Sequence, residues 1–221
     1  MKTKILFLII ISSFTSQGQT LKDLSRNIDV FNPNGGLMYN NKYDTEKNVK
    51  GSFMLFPIWE GNYMLQSLKG EKFSLNNLNY NLKTKKLQSL LGKDSIFELK
   101  INNIDFLIAS NVKYKVINEE LYKELFMGNK VKLYKHFTVK LHDAFINPMT
   151  KSVDEPAYYE QMSDYFYFLN ESFISIKLNK KAILLALKDN ENAIKTFVSK
   201  NNLFYNEEKD VIKIFEYYNT L

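Results

Sequence analysis

Between Gly51 and Ser110 the sequence alternates short apolar segments with turn residues. Lys69-Gly70-Glu71 and Asn102-Asn103, for example, separate segments that are rich in aromatic and aliphatic side chains. A strand and a turn about every ten residues are typical of an antiparallel meander, sandwich or barrel. Successive hairpins of this kind bury one face and leave the other in water. This stretch therefore predicts that an antiparallel sheet organises the fold.

The same pattern continues to residue 178, with one interruption. Glu119–Met127 has an apolar spacing that also suits a helix. The Gly128-Asn129 pair after it is typical of a hairpin turn, and we therefore predict a strand. Residues 142–164 contain two prolines and a polar run, which predict a long irregular loop.

The period of the apolar residues changes after this region. Asn179 is a typical N-cap, and the residues after it are apolar at helical spacing. Asn206 is predicted to cap a last helix whose first turn is acidic, as the helix dipole favours. We therefore expect an α+β fold. Residues 51–178 would form an antiparallel β meander or barrel-like body of about eight to ten short strands, and residues 179–221 a small C-terminal helical segment.

Residues 1–18 have the pattern of a secretory signal peptide. Two early lysines precede the apolar run Ile5–Ile11, and small residues occupy the −3 and −1 positions of a cleavage site after Gly18. The apolar run is too short to span a bilayer as a helix, and no later segment has the necessary length. We expect cleavage, a secreted or periplasmic protein without a transmembrane segment, and an extended N-terminal lead-in over residues 19–50.

The composition limits how the fold is stabilised and what it binds. The chain of 221 residues contains no cysteine, so its core must hold the fold without disulfides. The formal net charge of +6 includes the two signal-peptide lysines, and Arg26 is the only arginine. Nucleic-acid-binding surfaces cluster lysine and arginine on one face. We therefore expect no nucleic-acid partner.

The sequence contains no pattern of a known catalytic or metal site. It has only two histidines, no G-x-S-x-G motif and no Gly-rich phosphate loop, so we expect no catalytic residues, no metal and no cofactor. Aromatic faces can stack on sugars or peptides. The best binding candidates are therefore aromatic residues beside the predicted loop, with one histidine: Tyr158, Tyr159, Tyr165, Tyr167 and His142. The alternative interpretation is that the last two tyrosines belong to an ordinary core strand.

Three segments of apolar and turn residues occur together in this chain. They are Gly51-Ser52-x-Met54-Leu55-x-Pro57-x-x-x-Gly61, Leu78-Asn79-Tyr80-Asn81-Leu82-x-Thr84-x-x-Leu87, and the C-terminal stretch from Lys180-Lys181-x-Ile183-Leu184 to Tyr217-Tyr218-Asn219. In these segments the chain resembles a group of uncharacterised secreted proteins of Bacteroidetes-type bacteria. The resemblance implies a periplasmic or surface location in a Gram-negative cell. It assigns no activity and no functional residues.

Taken together, these features favour an exported non-enzymatic envelope protein that serves as a protein- or glycan-binding or scaffold module. One alternative is a hydrolase of envelope polymers that uses His142, Asp154 or Glu155. The other alternative is a β-barrel carrier of a small apolar ligand. The sequence does not indicate an oligomeric state.

Overall fold

The computed structural model describes residues 38–39, 49–91 and 95–221, within which fourteen strands and three α-helices form. The predicted signal peptide, its cleavage site and almost all of the predicted lead-in lie outside these residues. The α+β class, with a mainly antiparallel body and a small C-terminal helical segment, is confirmed. No helix in the described ranges is long and apolar enough to cross a membrane.

An eight-stranded antiparallel sheet, the main sheet, forms the body. Its strands, in order across the sheet, are β14 (Ser172–Ile176), β13 (Tyr158–Leu169), β10 (Val131–His142), β9 (Glu120–Met127), β8 (Val112–Ile117), β7 (Ile104–Ala109), β2 (Glu60–Ser67) and β3 (Lys72–Asn77). The strand predicted over Glu119–Met127 is thus confirmed as β9. The sheet is open, with β14 and β3 as its edges, so the described strands do not close on themselves.

Turn chemistry explains why successive strands of this sheet are neighbours. Three hairpins have two-residue turns in which both residues have positive φ: Ser110-Asn111, Asn118-Glu119 and Asn170-Glu171. Turns of this type match the right-handed twist of the flanking strands, and asparagine tolerates the left-handed conformation. These short connections fix the register of the pairs β7–β8, β8–β9 and β13–β14.

A smaller antiparallel sheet packs against the main sheet. Its strands, in order, are β1 (Met38–Tyr39), β6 (Ser95–Leu99), β5 (Lys86–Leu91) and β4 (Asn79–Asn81). A single 3₁₀ turn, Ile101–Asn103, leads back to the main sheet. Between the two sheets lies a first core that includes Leu65, Leu87 and Leu107, all with 0% exposure. Buried side chains therefore fill the space between the sheets.

Three helices cover one end of the main sheet and enclose a second core. They are α1 (Lys180–Ala186), α2 (Glu191–Lys200) and α3 (Glu208–Thr220). The predicted N-cap Asn179 is confirmed, since its side chain accepts a hydrogen bond from the Ala182 N–H at 2.9 Å. The predicted cap Asn206 is wrong, because the N-cap of α3 is Glu207. Asp210 holds the preceding segment instead by accepting the Phe204 N–H at 3.0 Å.

The irregular loop predicted over residues 142–164 is largely replaced by strands. Residues Phe145–Ile146 (β11) pair with Val153–Glu155 (β12), and residues 158–164 belong to β13. The prolines do not break this pairing, because Pro148 lies in the turn between β11 and β12 and Pro156 lies just before β13. Cross-strand pairing with β10 therefore extends to the end of that strand.

Candidate functional site

The longest hairpin of the main sheet projects beyond its neighbours. β10 and β13 pair over their whole length, from Val131↔Leu169 to His142↔Tyr158. However, β9 pairs with β10 only as far as His136, and β14 pairs with β13 only from Tyr165 onwards. Residues 137–164, which we call the hairpin arm, therefore form a two-stranded ribbon. Residues 143–157 form its tip.

The base of the tip is anchored to the body by the segment around Gly51. The Lys50 N–H donates to the Ala157 carbonyl, and the Tyr159 N–H donates to the Lys50 carbonyl, both at 2.8 Å. The buried Tyr159 ring lies edge-on to Phe53, with ring centroids 5.3 Å apart. The Tyr159 hydroxyl accepts a hydrogen bond from Lys83 Nζ at 2.9 Å. These contacts hold one face of the arm against residues 50–53 and against the turn between β4 and β5.

The opposite face of the arm carries the predicted histidine. His142 and Tyr158 are cross-strand partners whose rings stack at 4.5 Å with an interplanar angle of 4°. His142 Nε2 also shares a hydrogen bond of 2.7 Å with Glu160 Oε2. Tyr158 and Glu160 are exposed, so this stacked pair is open to solvent on the side away from the body.

The tip presents a concentration of apolar side chains to solvent. Half of the exposed large hydrophobic residues in the described chain lie in the arm: Leu141, Phe145, Ile146, Met149, Val153, Tyr158 and Met162. Met149 is 92% exposed at the turn between β11 and β12. Concentrations of exposed apolar surface on soluble proteins mark interaction sites more often than chance.

A network of polar side chains fixes the shape of this tip. Asn147 Oδ1 accepts hydrogen bonds from the N–H groups of Met149 and Thr150, at 2.9 and 3.2 Å. Asp154 accepts a hydrogen bond from Asn147 Nδ2 at 3.1 Å and another from Ser152 Oγ at 3.0 Å. An asparagine that bonds to the backbone two residues ahead stabilises a tight turn. The apolar side chains are therefore displayed on an ordered turn.

The structure separates the five predicted binding residues into two groups. His142, Tyr158 and Tyr159 come together at the base of the tip, although Tyr159 is buried. Tyr165 and Tyr167 instead pack beneath the helices in the second core, where burial raises the pKa of both hydroxyl groups. For these two residues the structure agrees with the alternative interpretation of a core strand.

Sequence reasoning missed the apolar residues of the tip. Phe145, Ile146, Met149 and Val153 lie among prolines and polar residues, which favoured a loop. Large apolar side chains in a segment too short to form its own core could have identified them, because such residues must either pack elsewhere or remain exposed.

The residues of the hydrolase alternative do not converge. His142 contacts Glu160, whereas Asp154 is bonded within the tip turn and Glu155 is exposed on β12. No group of three histidine, cysteine or acidic side chains in the described ranges is placed to hold a metal ion.

The second histidine belongs to an aromatic cluster on the sheet face opposite the helices. His136 stacks on Tyr122 at 4.7 Å, and its Nε2 lies 2.5 Å from the Glu120 carboxylate. Phe166 and Phe173 stack beside them at 5.1 Å. Since Tyr122 and His136 are buried by their neighbours, this cluster serves mainly as packing.

Open clefts also occur elsewhere on the described surface. One, of about 560 Å³, lies between the β4–β5 turn and the β8–β9 turn and has both lysine and glutamate side chains at its rim. Another, of about 430 Å³, lies between β14 and α1. Neither cleft includes residues of the arm.

Comparisons with known proteins supply no relative. No protein-family model matches the sequence, and neither a curated protein nor a solved structure shows significant similarity to it.

Proposed function

We propose that the protein is an exported, non-enzymatic module that binds a partner protein through its hairpin arm. The observation that carries this proposal is the concentration of exposed apolar side chains on the ordered tip. Removing apolar surface from water is the dominant favourable term in most protein–protein association. A tip that is already ordered also loses little conformational entropy on binding.

The chemistry of the tip favours a protein partner over a glycan. Its most exposed large apolar side chains are Phe145, Ile146, Met149 and Val153. Methionine and aromatic side chains are typical of the buried centre of protein interfaces, and methionine adapts its shape to a partner. A sugar would need flat aromatic faces with polar groups around them, and the exposed Tyr158 has one face covered by His142.

The signal-peptide pattern of residues 1–18 supports export to the periplasm or the cell surface. The partner would then be another protein of the cell envelope. If export takes place, N-terminal sequencing of the protein recovered from cells should show a chain that begins at Gln19. Recovery of a chain that still begins at Met1 would contradict this part of the proposal.

Site-specific photo-cross-linking tests binding through the arm. A photoreactive phenylalanine analogue replaces Phe145 in one protein and Phe204 in another. Phe204 is a matched control, since it is also aromatic, is 63% exposed and lies outside the arm. After irradiation in envelope extract, we expect discrete protein adducts from position 145 and none of the same mass from position 204.

A variant with the tip made polar provides the complementary result. In affinity capture, a triple variant should no longer recover the partner that cross-linking identified. This variant combines Phe145→Ser, Ile146→Ser and Met149→Ser. Leu185→Ser and Phe204→Ser, which remove exposed apolar side chains elsewhere, should leave recovery of this partner unchanged. Equal adducts from positions 145 and 204, or unchanged capture by the triple variant, would exclude the arm as the binding surface.

A further inference from the structure

In the described part of the chain, β14 is an edge of the main sheet and pairs with no strand on its outer side. The residues that flank the turn Asn170-Glu171 are paired across a two-residue hairpin, so alternate residues of β14 point their backbone groups toward β13. Ile174 is one of these, whereas Phe173 and Ser175 point their N–H and C=O groups outward. Within the described chain, no backbone group outside this sheet bonds to Phe173 or Ser175.

An apolar groove runs beside this edge. It has a volume of about 430 Å³ and lies between β14 and α1. Ile174 and Ile176 line it from the strand, and Ala182 and Leu185 line it from the helix. Ile174 is 43% exposed and Leu185 is 68% exposed, so apolar surface on both walls is available to a further chain.

The groove is positively charged at its rim. Lys177 and Lys181 line it, and both are exposed. No aspartate or glutamate lines the groove in the described chain. A ligand with negative charge is therefore favoured, whereas a second copy of this chain would bring lysines of its own to the same place.

We propose that β14 and α1 form a docking site for an extended acidic peptide segment of another protein. The segment adds to the edge of the sheet as a further strand, with its backbone bonded to Phe173 and Ser175. Its alternate apolar side chains enter the groove, and its acidic side chains meet Lys177 and Lys181. This site goes beyond the proposed function, because it uses no residue of the hairpin arm.

A synthetic probe tests this docking site. The probe is a capped peptide of about six residues, the usual strand length, in which valines alternate with polar residues including two aspartates. In titrations followed by amide NMR, we expect the largest shifts at Phe173 and Ser175. We also expect these two amides to gain protection against hydrogen exchange. The same peptide with lysines in place of the aspartates should bind about tenfold more weakly.

Two further comparisons separate strand addition from simple charge attraction. A probe that is N-methylated on the edge that faces β14 cannot pair with the strand, and its binding should be lost although its charge is unchanged. Lys181→Glu should weaken binding of the unmodified probe about tenfold, whereas Lys209→Glu on α3 should leave it unchanged. The N-methylated probe leaves the protein unaltered, so loss of its binding cannot come from misfolding.

Three results would overturn the proposal. They are equal affinity for the aspartate and lysine probes, unchanged affinity for the N-methylated probe, and a dimer in sedimentation equilibrium that buries β14 without any peptide.

The Ser175→Pro variant removes one outward N–H from the edge strand. It should lose probe binding while the arm still cross-links its partner, so failure of this site and failure of the arm are distinguishable.

Discussion

At the scale of single residues, Gly51 controls how the chain approaches the hairpin arm. Gly51 has a φ of +80°, in the left-handed region, and a Cβ added to it would lie 2.6 Å from the Tyr159 carbonyl oxygen. Real side chains do not tolerate so short a contact with backbone. Only glycine at position 51 therefore allows the backbone of Lys50 to form its hydrogen bonds with Ala157 and Tyr159, the residues before and after Tyr158.

Replacing Gly51 tests this close approach. Gly51→Ala should lower the free energy of unfolding by about 2 kcal/mol, because strain from positive φ adds to the clash with Tyr159. Gly70→Ala is the matched control. Gly70 also has positive φ (+85°), but nothing lies within 4 Å of its added Cβ. Gly70→Ala should lower the free energy of unfolding, measured by urea denaturation, by about 1 kcal/mol. Equal losses would show that the contact with Tyr159 does not matter.

At the scale of elements, a partly buried polar contact joins the main sheet to α3. Lys135 Nζ on β10 and the Tyr165 hydroxyl on β13 both donate to Glu208 Oε2, each at 2.7 Å. Burial acts to raise the pKa of Glu208, but the hydrogen bonds from Lys135 and Tyr165 outweigh it and lower this pKa below 4.5. Since Glu208 lies in the first turn of α3, its charge also complements the helix dipole.

The pH dependence of stability tests this contact. A carboxylate with a lowered pKa in the folded state stabilises the protein above its ordinary pKa, and the effect is lost as pH falls through the folded value. Glu208→Gln should therefore lower the free energy of unfolding by about 1 kcal/mol at pH 7. Below pH 4.5 the difference from the unaltered protein should narrow. The control is Glu171→Gln, which replaces an exposed glutamate in the turn between β13 and β14, away from the helices. The difference between this variant and the unaltered protein should not change with pH in this way. A constant difference from pH 7 to pH 3 would contradict the assignment.

Local pattern predicted most elements of this protein, but not how far the longest hairpin extends. The alternation of apolar residues, the turn residues and the Asn179 cap all depend on neighbours in sequence. The strands, the turns and the helix cap that they predicted are present in the structure. The extension of β13 to Tyr158 depends on pairing with β10, which is distant in sequence, and the two prolines of the tip argued against it. Cross-strand partners of this kind are not visible in local pattern.

The same reason explains the division of the candidate site. Tyr159 and Tyr167 are close in sequence and lie on the same face of β13. Eight residues of extended strand nevertheless span about 26 Å. Tyr159 therefore packs against Phe53 at the base of the tip, whereas Tyr167 packs against Phe215 beneath the helices. The proximity of these tyrosines in sequence predicted a single cluster, but the length of the strand separates them into two.

At the scale of the whole molecule, the two cores are joined by β9 and β10, while the tip belongs to neither. Leu121 and Phe137 pack in or against the first core, and Phe126 and Leu133 in or against the second. No residue of the tip, 143–157, is part of either core. The tip therefore contributes to neither core, and we expect stability to be separable from the recognition proposed for the tip.

Shortening the arm tests this separation. Replacing residues 143–157 with Asn-Gly joins His142 to Tyr158, which are already cross-strand partners, by a two-residue turn that suits a hairpin. The new glycine still offers a backbone carbonyl to the Lys50 N–H in place of Ala157. The free energy of unfolding in urea should change by less than about 1 kcal/mol, because the removed side chains are mostly exposed. Affinity capture of the partner identified by cross-linking should be lost, while the β14 groove still binds the acidic probe. A loss of several kcal/mol would instead place the tip within the stabilising structure, and retained partner capture would assign recognition to another surface.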